Sequence, residues 1–253
     1  ILSGDVLISN YGNNSLYAYN TNIASPFYNK LRYLITLSAA TDVAVINDRI
    51  YIQYIDGSTF TRVDEYFYTG SPFTMTFNST QLSEEFLTFV DLCGFNETTL
   101  LYGGNDGVYS GLTFADKMWD YPGFFQCSGA ILYRKDTDKI YSSYYDGTNY
   151  YLGRFEVDGT LVSDIYLNDF NQTTYPNIFE IYGMFSANGK VYGVTQNDGY
   201  VYEIDWDTSG LTKVQAIDYV NSVGGASDLF LDQTPTPTPT ITSTPTNTET
   251  PTN

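Results

Sequence analysis

Residues 139–155 read Lys-Ile-Tyr-Ser-Ser-Tyr-Tyr-Asp-Gly-Thr-Asn-Tyr-Tyr-Leu-Gly-Arg-Phe, which is an aromatic segment, an Asp-Gly turn and a second aromatic segment. Asp-Gly supplies the positive φ angles that a short hairpin turn needs, so this stretch predicts a β-hairpin. The same unit recurs at residues 7–17, 50–60, 101–109 and 191–202. The turns recur at roughly 40 to 52 residues, which is the length of a four-stranded blade of a β-propeller.

Four of these hairpins follow an apolar strand that starts with small or acidic residues, at 42–46, 89–93, 128–132 and 181–185. Small residues suit the narrow centre of a propeller, so we expect these strands to be innermost. The first hairpin has no such strand before it. The matching piece is at the other end, where residues 226–232 resemble residues 42–47 but have no hairpin after them.

We therefore predict an all-β fold, a five-bladed β-propeller closed by pairing of the C-terminal strand with the strand that begins at Asp5. The propeller domain covers residues 1–232, and an extended stalk or linker covers residues 233–253. A two-sheet sandwich is the alternative fold, but it does not explain a constant period.

The blade pattern resembles that of secreted β-propellers with NHL-like or YVTN-like blades. In these, a strand such as Asp42-Val43-Ala44-Val45 is followed by one such as Arg49-Ile50-Tyr51-Ile52. The resemblance covers residues 5 to 232 and carries over the blade pattern alone. It implies a secreted platform for binding or assembly rather than an enzyme.

The C-terminal segment alternates threonine with other residues from Thr234 to Thr252, and five of the nine prolines lie in it. Proline removes a backbone donor and threonine is small and polar, so the segment predicts an extended, mucin-like rod. We expect O-linked sugar, contacts with neighbouring copies, or both to order it. The candidate O-glycosylation sites are Thr234, Thr236, Thr238, Thr240, Thr242, Thr244, Thr246, Thr248, Thr250 and Thr252.

Composition excludes several classes of function. The net charge of -18, from 29 acidic and 11 basic residues, excludes nucleic-acid binding and disfavours anionic membranes. The absence of histidine excludes Ser-His-Asp and Cys-His catalysis. No apolar run is long enough to span a bilayer. The chain begins with Ile1, so we expect either a removed leader or a fragment of a longer protein.

Carboxylate chemistry and calcium binding remain open. Asp42, Asp91 and Asp228 recur at the starts of inner strands, where a carboxylate pair would suit glycoside hydrolysis, although Ser128 replaces the acid in the fourth blade and Glu180 is the only nearby acid in the fifth. The alternative is that these acids accept backbone donors.

Calcium would need several oxygen ligands, and the nearest approximations are residues 136–138 and 205–207, which we interpret as solvated turns. Trp119, Tyr121, Phe124 and Phe125 are candidates for stacking on sugars, with burial as the alternative. We predict no catalytic, metal or cofactor site.

Covalent features suggest an extracellular or cell-surface location. Cys93 and Cys127 are predicted to form a disulfide between the third and fourth blades, with two buried thiols as the alternative. Asn13, Asn78, Asn96 and Asn171 begin N-glycosylation sequons in predicted turns or strand ends, where we expect them to be exposed.

The prediction for function is a non-catalytic structural subunit of a glycosylated extracellular filament or surface appendage. Its partners are copies of itself in a homopolymer and its covalent glycans, with no nucleic acid and no membrane insertion. The alternatives are a stalk-displayed lectin or adhesin, and a glycoside-active propeller enzyme.

Overall fold

The computed structural model describes residues 1–10, 12–37, 39–56, 60–70, 72–85, 89–113, 116–121, 126–167, 181–195, 200–216 and 223–230. The tail with its threonines, Asn171, Glu180, Phe124 and Phe125 therefore lie outside the described residues. Within the described ranges, no helix is long and apolar enough to cross a membrane.

The described residues form twenty β-strands. In chain order these are β1 (Asp5–Asn10), β2 (Ser15–Asn20), β3 (Leu31–Thr36), β4 (Ala40–Ile46), β5 (Arg49–Asp56), β6 (Phe60–Gly70), β7 (Phe73–Glu85), β8 (Phe89–Asn96), β9 (Thr99–Gly104), β10 (Gly107–Gly111), β11 (Asp116–Asp120), β12 (Gln126–Arg134), β13 (Lys139–Tyr145), β14 (Tyr150–Glu156), β15 (Leu161–Tyr166), β16 (Ile181–Ala187), β17 (Lys190–Thr195), β18 (Tyr200–Asp205), β19 (Gly210–Ala216) and β20 (Val223–Phe230).

These strands make five antiparallel, four-stranded blades arranged as a propeller. From the axis outward, blade 1 is β20, β1, β2 and β3, and blades 2 to 5 are β4–β7, β8–β11, β12–β15 and β16–β19. The inner strands β4, β8, β12, β16 and β20 contact one another in that order around the axis. The predicted fold class, blade count and inner strands are confirmed.

The ring closes where the sequence predicts. β20 pairs antiparallel with β1 in a register that places Val6 opposite Asp228 and Ile8 opposite Ala226. β20 also runs parallel to β4, with Leu229 beside Val45 and Phe230 beside Ile46. These two parallel pairs join blades 1 and 2 into one eight-stranded sheet.

The core consists of five apolar clusters, one in each wedge between neighbouring blades. Alternate residues of a strand point to opposite faces of its blade, so each strand serves two wedges. In β4, Val43 and Val45 pack against blade 1, whereas Ala44 and Ile46 pack against blade 3. Burial decreases outward: β4 is almost wholly buried, but the outermost strand β15 exposes Leu161 and Val162.

The strand order gives the propeller two distinct faces. In blades 2 to 5, the turns between the first and second strands lie on one face, which we call the lower face. These turns include Asn47 in blade 2 and Asn188 in blade 5, both with positive φ. The inner strands run toward it, so β20 ends there beside Ile46. The backbone nitrogen of Ile1 donates to the carbonyl of Gly70, which ends β6 on the same face. Both described ends of the propeller thus lie at the lower face.

The predicted disulfide is wrong, because both cysteines are buried thiols in the structure. The Cys127 sulfur lies against Gly103, which pairs with Asp91 of β8. Cys93 stands two residues further along β8 and pairs with Leu101. That offset is about 7 Å along the strand, whereas a disulfide needs sulfurs about 2 Å apart.

Denaturing the protein without reductant is expected to reveal two reactive thiols per chain. The native protein should react slowly, because burial raises the pKa of Cys127 and shields both sulfurs. Thiol titration with and without denaturant measures this. A denatured, unreduced chain with no titratable thiol would restore the disulfide.

A methyl group at Gly103 is expected to destabilise the ring. A Cβ built there lies 2.5 Å from the Cys127 sulfur, so blades 3 and 4 must separate slightly. We predict that Gly103→Ala lowers the free energy of unfolding by about 1 to 3 kcal/mol, and that adding Cys127→Ala recovers part of the loss. Chemical denaturation measures both. The control is Gly70→Ala, where a Cβ meets nothing closer than 3.7 Å; equal losses at both glycines would contradict the packing argument.

Candidate functional site

The carboxyl groups singled out by the sequence lie inside the ring, on the inner strands. Asp42 of β4 and Asp91 of β8 are both fully buried. Of Asp228 the structure describes only the backbone, which lies in β20 opposite Val6.

Each of the two described carboxyls bonds to the inner strand of the next blade. Asp42 Oδ2 accepts a hydrogen bond from the backbone N–H of Leu92. Its Oδ1 accepts one from the backbone N–H of the adjacent residue Val43, at 2.6 Å. Asp91 accepts the backbone N–H of Ile131. The two acids therefore do accept backbone donors, as the alternative interpretation expected. The donors across the wedge are amides of the inner strand of the next blade.

Serine hydroxyls continue this arrangement around the axis. Ser143 of β13 accepts the Ala130 N–H at 2.8 Å and donates to the Ile181 carbonyl of blade 5 at 3.1 Å. Ser9 of β1 donates to the Thr41 carbonyl of blade 2 at 3.3 Å. We call Ser9, Asp42, Asp91 and Ser143 the polar belt. Each of the four is fully buried.

The two carboxyls of the polar belt influence each other's protonation. Burial raises the pKa of Asp42 to about 7, although its hydrogen bonds with Asp91 and with two backbone amides oppose the rise. Burial, followed by the charge of Asp42, raises the pKa of Asp91 well above its ordinary value. Asp91 Oδ1 has no donor among the described groups, so it is the oxygen that we expect to carry the proton at neutral pH.

This geometry does not suit a glycosidase. A general acid and its partner carboxylate must both reach a sugar, with room between them. Asp42 and Asp91 are instead closed off by β4, β8 and β12 and already bonded to backbone amides.

The candidate calcium turns are occupied by groups of the protein itself. Asp136 pairs with Arg134, and Asp138 accepts the Tyr133 hydroxyl at 2.9 Å. Asp205 accepts hydrogen bonds from the Thr208 hydroxyl and from the Asp207 N–H, the latter at 3.0 Å. These bonds lower the pKa of Asp205. Among the residues that the structure describes, no group of three or more acidic or cysteine side chains is arranged to hold a metal ion.

Two of the candidate sugar-stacking rings are core residues. Trp119 is 9% exposed and packs on Phe155 at a ring-centroid distance of 5.0 Å. Tyr121 is 2% exposed and bonds to Ser142 in the wedge between blades 3 and 4. These rings stabilise the wedge and present no face to a ligand.

Three of the sequon asparagines are exposed, as expected. Asn13 lies in the turn between β1 and β2, and Asn96 ends β8. Asn78 lies within β7 rather than in a turn or at a strand end, and its Nδ2 donates to Glu65 at 3.0 Å. Whether any of them carries sugar stays a prediction.

Sequence reasoning missed an exposed apolar surface on the lower face of blade 1. It consists of Leu2, Ile23, Phe27 and Tyr28, which are exposed to 40%, 75%, 40% and 41% respectively. We call these four side chains the loop patch, since three of them lie in the segment between β2 and β3. A sequence signal was present: residues 6–41 contain no acidic residue, in a chain that has 29.

Comparison with known proteins supports the fold. No family model matches the chain, and no curated protein matches its sequence. Among solved structures, a chain from "Crystal structure of Nidogen/Laminin Complex" has a TM-score of 0.54 and 10% identity, covering 88% of this chain and 97% of that one. A Mycobacterium tuberculosis puromycin-hydrolyzing peptidase has a TM-score of 0.43 and 13% identity, covering 80% of this chain and 33% of that one. At 10% identity the first likeness bears on the propeller fold alone.

Because of the carboxyls in the polar belt, we expect the free energy of unfolding to fall as the pH rises. Because the pKa of Asp42 is raised in the folded state, its favourable contribution is full below the unfolded value of 3.8 and is lost as the pH rises through about 7. Asp91→Asn should flatten this dependence, because the amide can accept from Ile131 and donate to Asp42 at every pH.

Thermal unfolding between pH 5 and pH 8 measures the effect. The control is Asp116→Asn, which removes the same charge from an exposed position of β11. If both variants keep the native dependence on pH, the carboxyls of the polar belt do not control it.

Proposed function

We propose that this protein is a non-catalytic structural subunit of a glycosylated extracellular polymer, assembled through its propeller and its Thr/Pro tail. The observation that carries the proposal is the position of β20. This strand ends at the lower face beside Ile46, and the Thr/Pro sequence follows it after three residues. A rod that starts from one face of a rigid ring is suited to linking that ring to a neighbour.

The polar belt supports a structural role over an enzymatic one. Its two carboxyls connect blades through backbone amides and are closed to solvent. The exposed asparagines Asn13, Asn78 and Asn96 and the tail threonines are the proposed carriers of glycan. Copies of the chain are the proposed partners.

Removing residues 234–253 is expected to convert the assembled protein into monomers. All twenty strands precede residue 231, so the ring keeps its closure. Analytical ultracentrifugation measures the assembly, and circular dichroism checks the fold. A matched control replaces the tail with a Gly/Ser segment of equal residue number, which keeps the number of residues but loses the stiffness and extension of the rod. If either variant assembles as the native chain does, the tail is not the linking element and the proposal fails.

A further inference from the structure

Hydrogen bonds order the segment that carries the loop patch, although the patch side chains face solvent. Within residues 21–30, backbone bonds join Ser25 to Asn22 at 2.9 Å and Tyr28 to Ser25 at 3.0 Å. The Tyr19 hydroxyl donates to Asn29 at 2.9 Å from beneath. A surface that is already ordered binds a partner more tightly, because its segment loses little conformational entropy on binding.

The patch lies next to the end of the propeller. Gly4 accepts both the Thr21 N–H, at 2.7 Å, and the Thr21 hydroxyl, at 2.8 Å. Its φ of +80° and the contact of a built Cβ with Asn22 at 2.5 Å require glycine here. Continuing the β1–β20 register by two residues places Phe230 on the other side of Gly4. Thr21, at the start of the segment that carries the patch, and Phe230, the last described residue of β20, are therefore separated by about two strand spacings, or roughly 10 Å.

Charge favours contact between this surface and another copy of the chain. Two molecules of net charge -18 repel each other at most surfaces. Residues 6–41 contain two basic and no acidic side chains, and Arg32 of this segment is paired with Asp5. Residues 234–248 of the tail carry no charge at all. An uncharged stretch of tail on a patch that comes mainly from this segment therefore avoids most of that repulsion.

The chemistry of the two surfaces also matches. Proline-rich segments in the polyproline conformation dock on exposed aromatic side chains, because the segment loses little entropy on binding. Phe27 and Tyr28 offer such rings. Ile241 is the only large apolar side chain of residues 233–253.

We propose that the loop patch is the acceptor for residues 234–241 of a second copy of this chain, with Ile241 as the anchor. This inference rests on the proposed function. A second copy is favoured because a polyproline rod places Ile241 about 34 Å beyond Phe230, whereas the segment that carries the molecule's own patch begins roughly 10 Å away. The anchor of a stiff rod therefore lies beyond the patch of its own molecule, at a distance where it can reach the patch of a neighbour.

The test uses the full chain with one variant on each side of the contact. Phe27→Ser spoils the patch and keeps the tail, and Ile241→Asp spoils the tail and keeps the patch. Val162→Ser is the control, because Val162 is similarly exposed, at 42%, on blade 4. Sedimentation velocity over a wide range of protein concentration measures association, and thermal unfolding checks that each variant folds.

Each variant alone is expected to associate at least about tenfold more weakly than the native chain, while Val162→Ser associates normally. Mixing Phe27→Ser with Ile241→Asp should restore a one-to-one complex, because the mixture contains one intact tail and one intact patch. Restoration on mixing is the result that distinguishes a contact between copies from one within a copy.

Three results would overturn the inference. If Phe27→Ser associates like the native chain while Ile241→Asp does not, the acceptor lies elsewhere and the proposed function survives. If mixing restores nothing, the tail and the patch do not bind each other between copies. If the native chain shows no association at any concentration, the proposed function fails and the acceptor with it.

Discussion

Every blade of this protein is apolar on both of its faces, and the rest of the structure depends on covering both. A four-stranded sheet that packs on one neighbour still exposes its second face, so only a closed ring satisfies all five blades. The alternation within β4, where Val43 faces one wedge and Ala44 the other, shows how a single strand serves two neighbours. Closure by β20 gives blade 1 its inner strand, and this strand contacts the inner strands of blade 2 and blade 5.

The polar belt solves a second problem of the same geometry. Apolar wedges fix the distance between blades but specify little about how far one blade slides along the next. A carboxyl such as Asp42, bonded to the Leu92 amide of the adjacent inner strand, fixes that position. Burying a charged carboxylate is unfavourable, so burial raises the pKa of both Asp42 and Asp91. A proton held between the two carboxyls reduces this penalty.

The periodic features of the sequence predicted the fold, because each blade repeats one hairpin signal and one inner strand. The closure followed from the half-repeat at each end, and β1 and β20 do pair. The sequence spacing could not show that Cys93 and Cys127 stay unlinked, since this depends on an offset of two residues between the two positions on neighbouring strands. Burial of Trp119 was one of the two alternatives that the sequence left open, whereas the loop patch escaped prediction, because the exposure of an aromatic ring depends on how its segment packs.

The pairing of β1 with β20 has a consequence for the order of events during synthesis. More than 200 residues separate Val6 from its partner Asp228. At a translation rate of about 5 to 20 residues per second, β1 waits on the order of 10 to 40 s with one bare edge. During that interval, β1 can pair equally well with the β20 of another chain, because that strand has the same sequence as its own. The seam of the ring is therefore the place where crowded synthesis favours exchange of this strand between molecules.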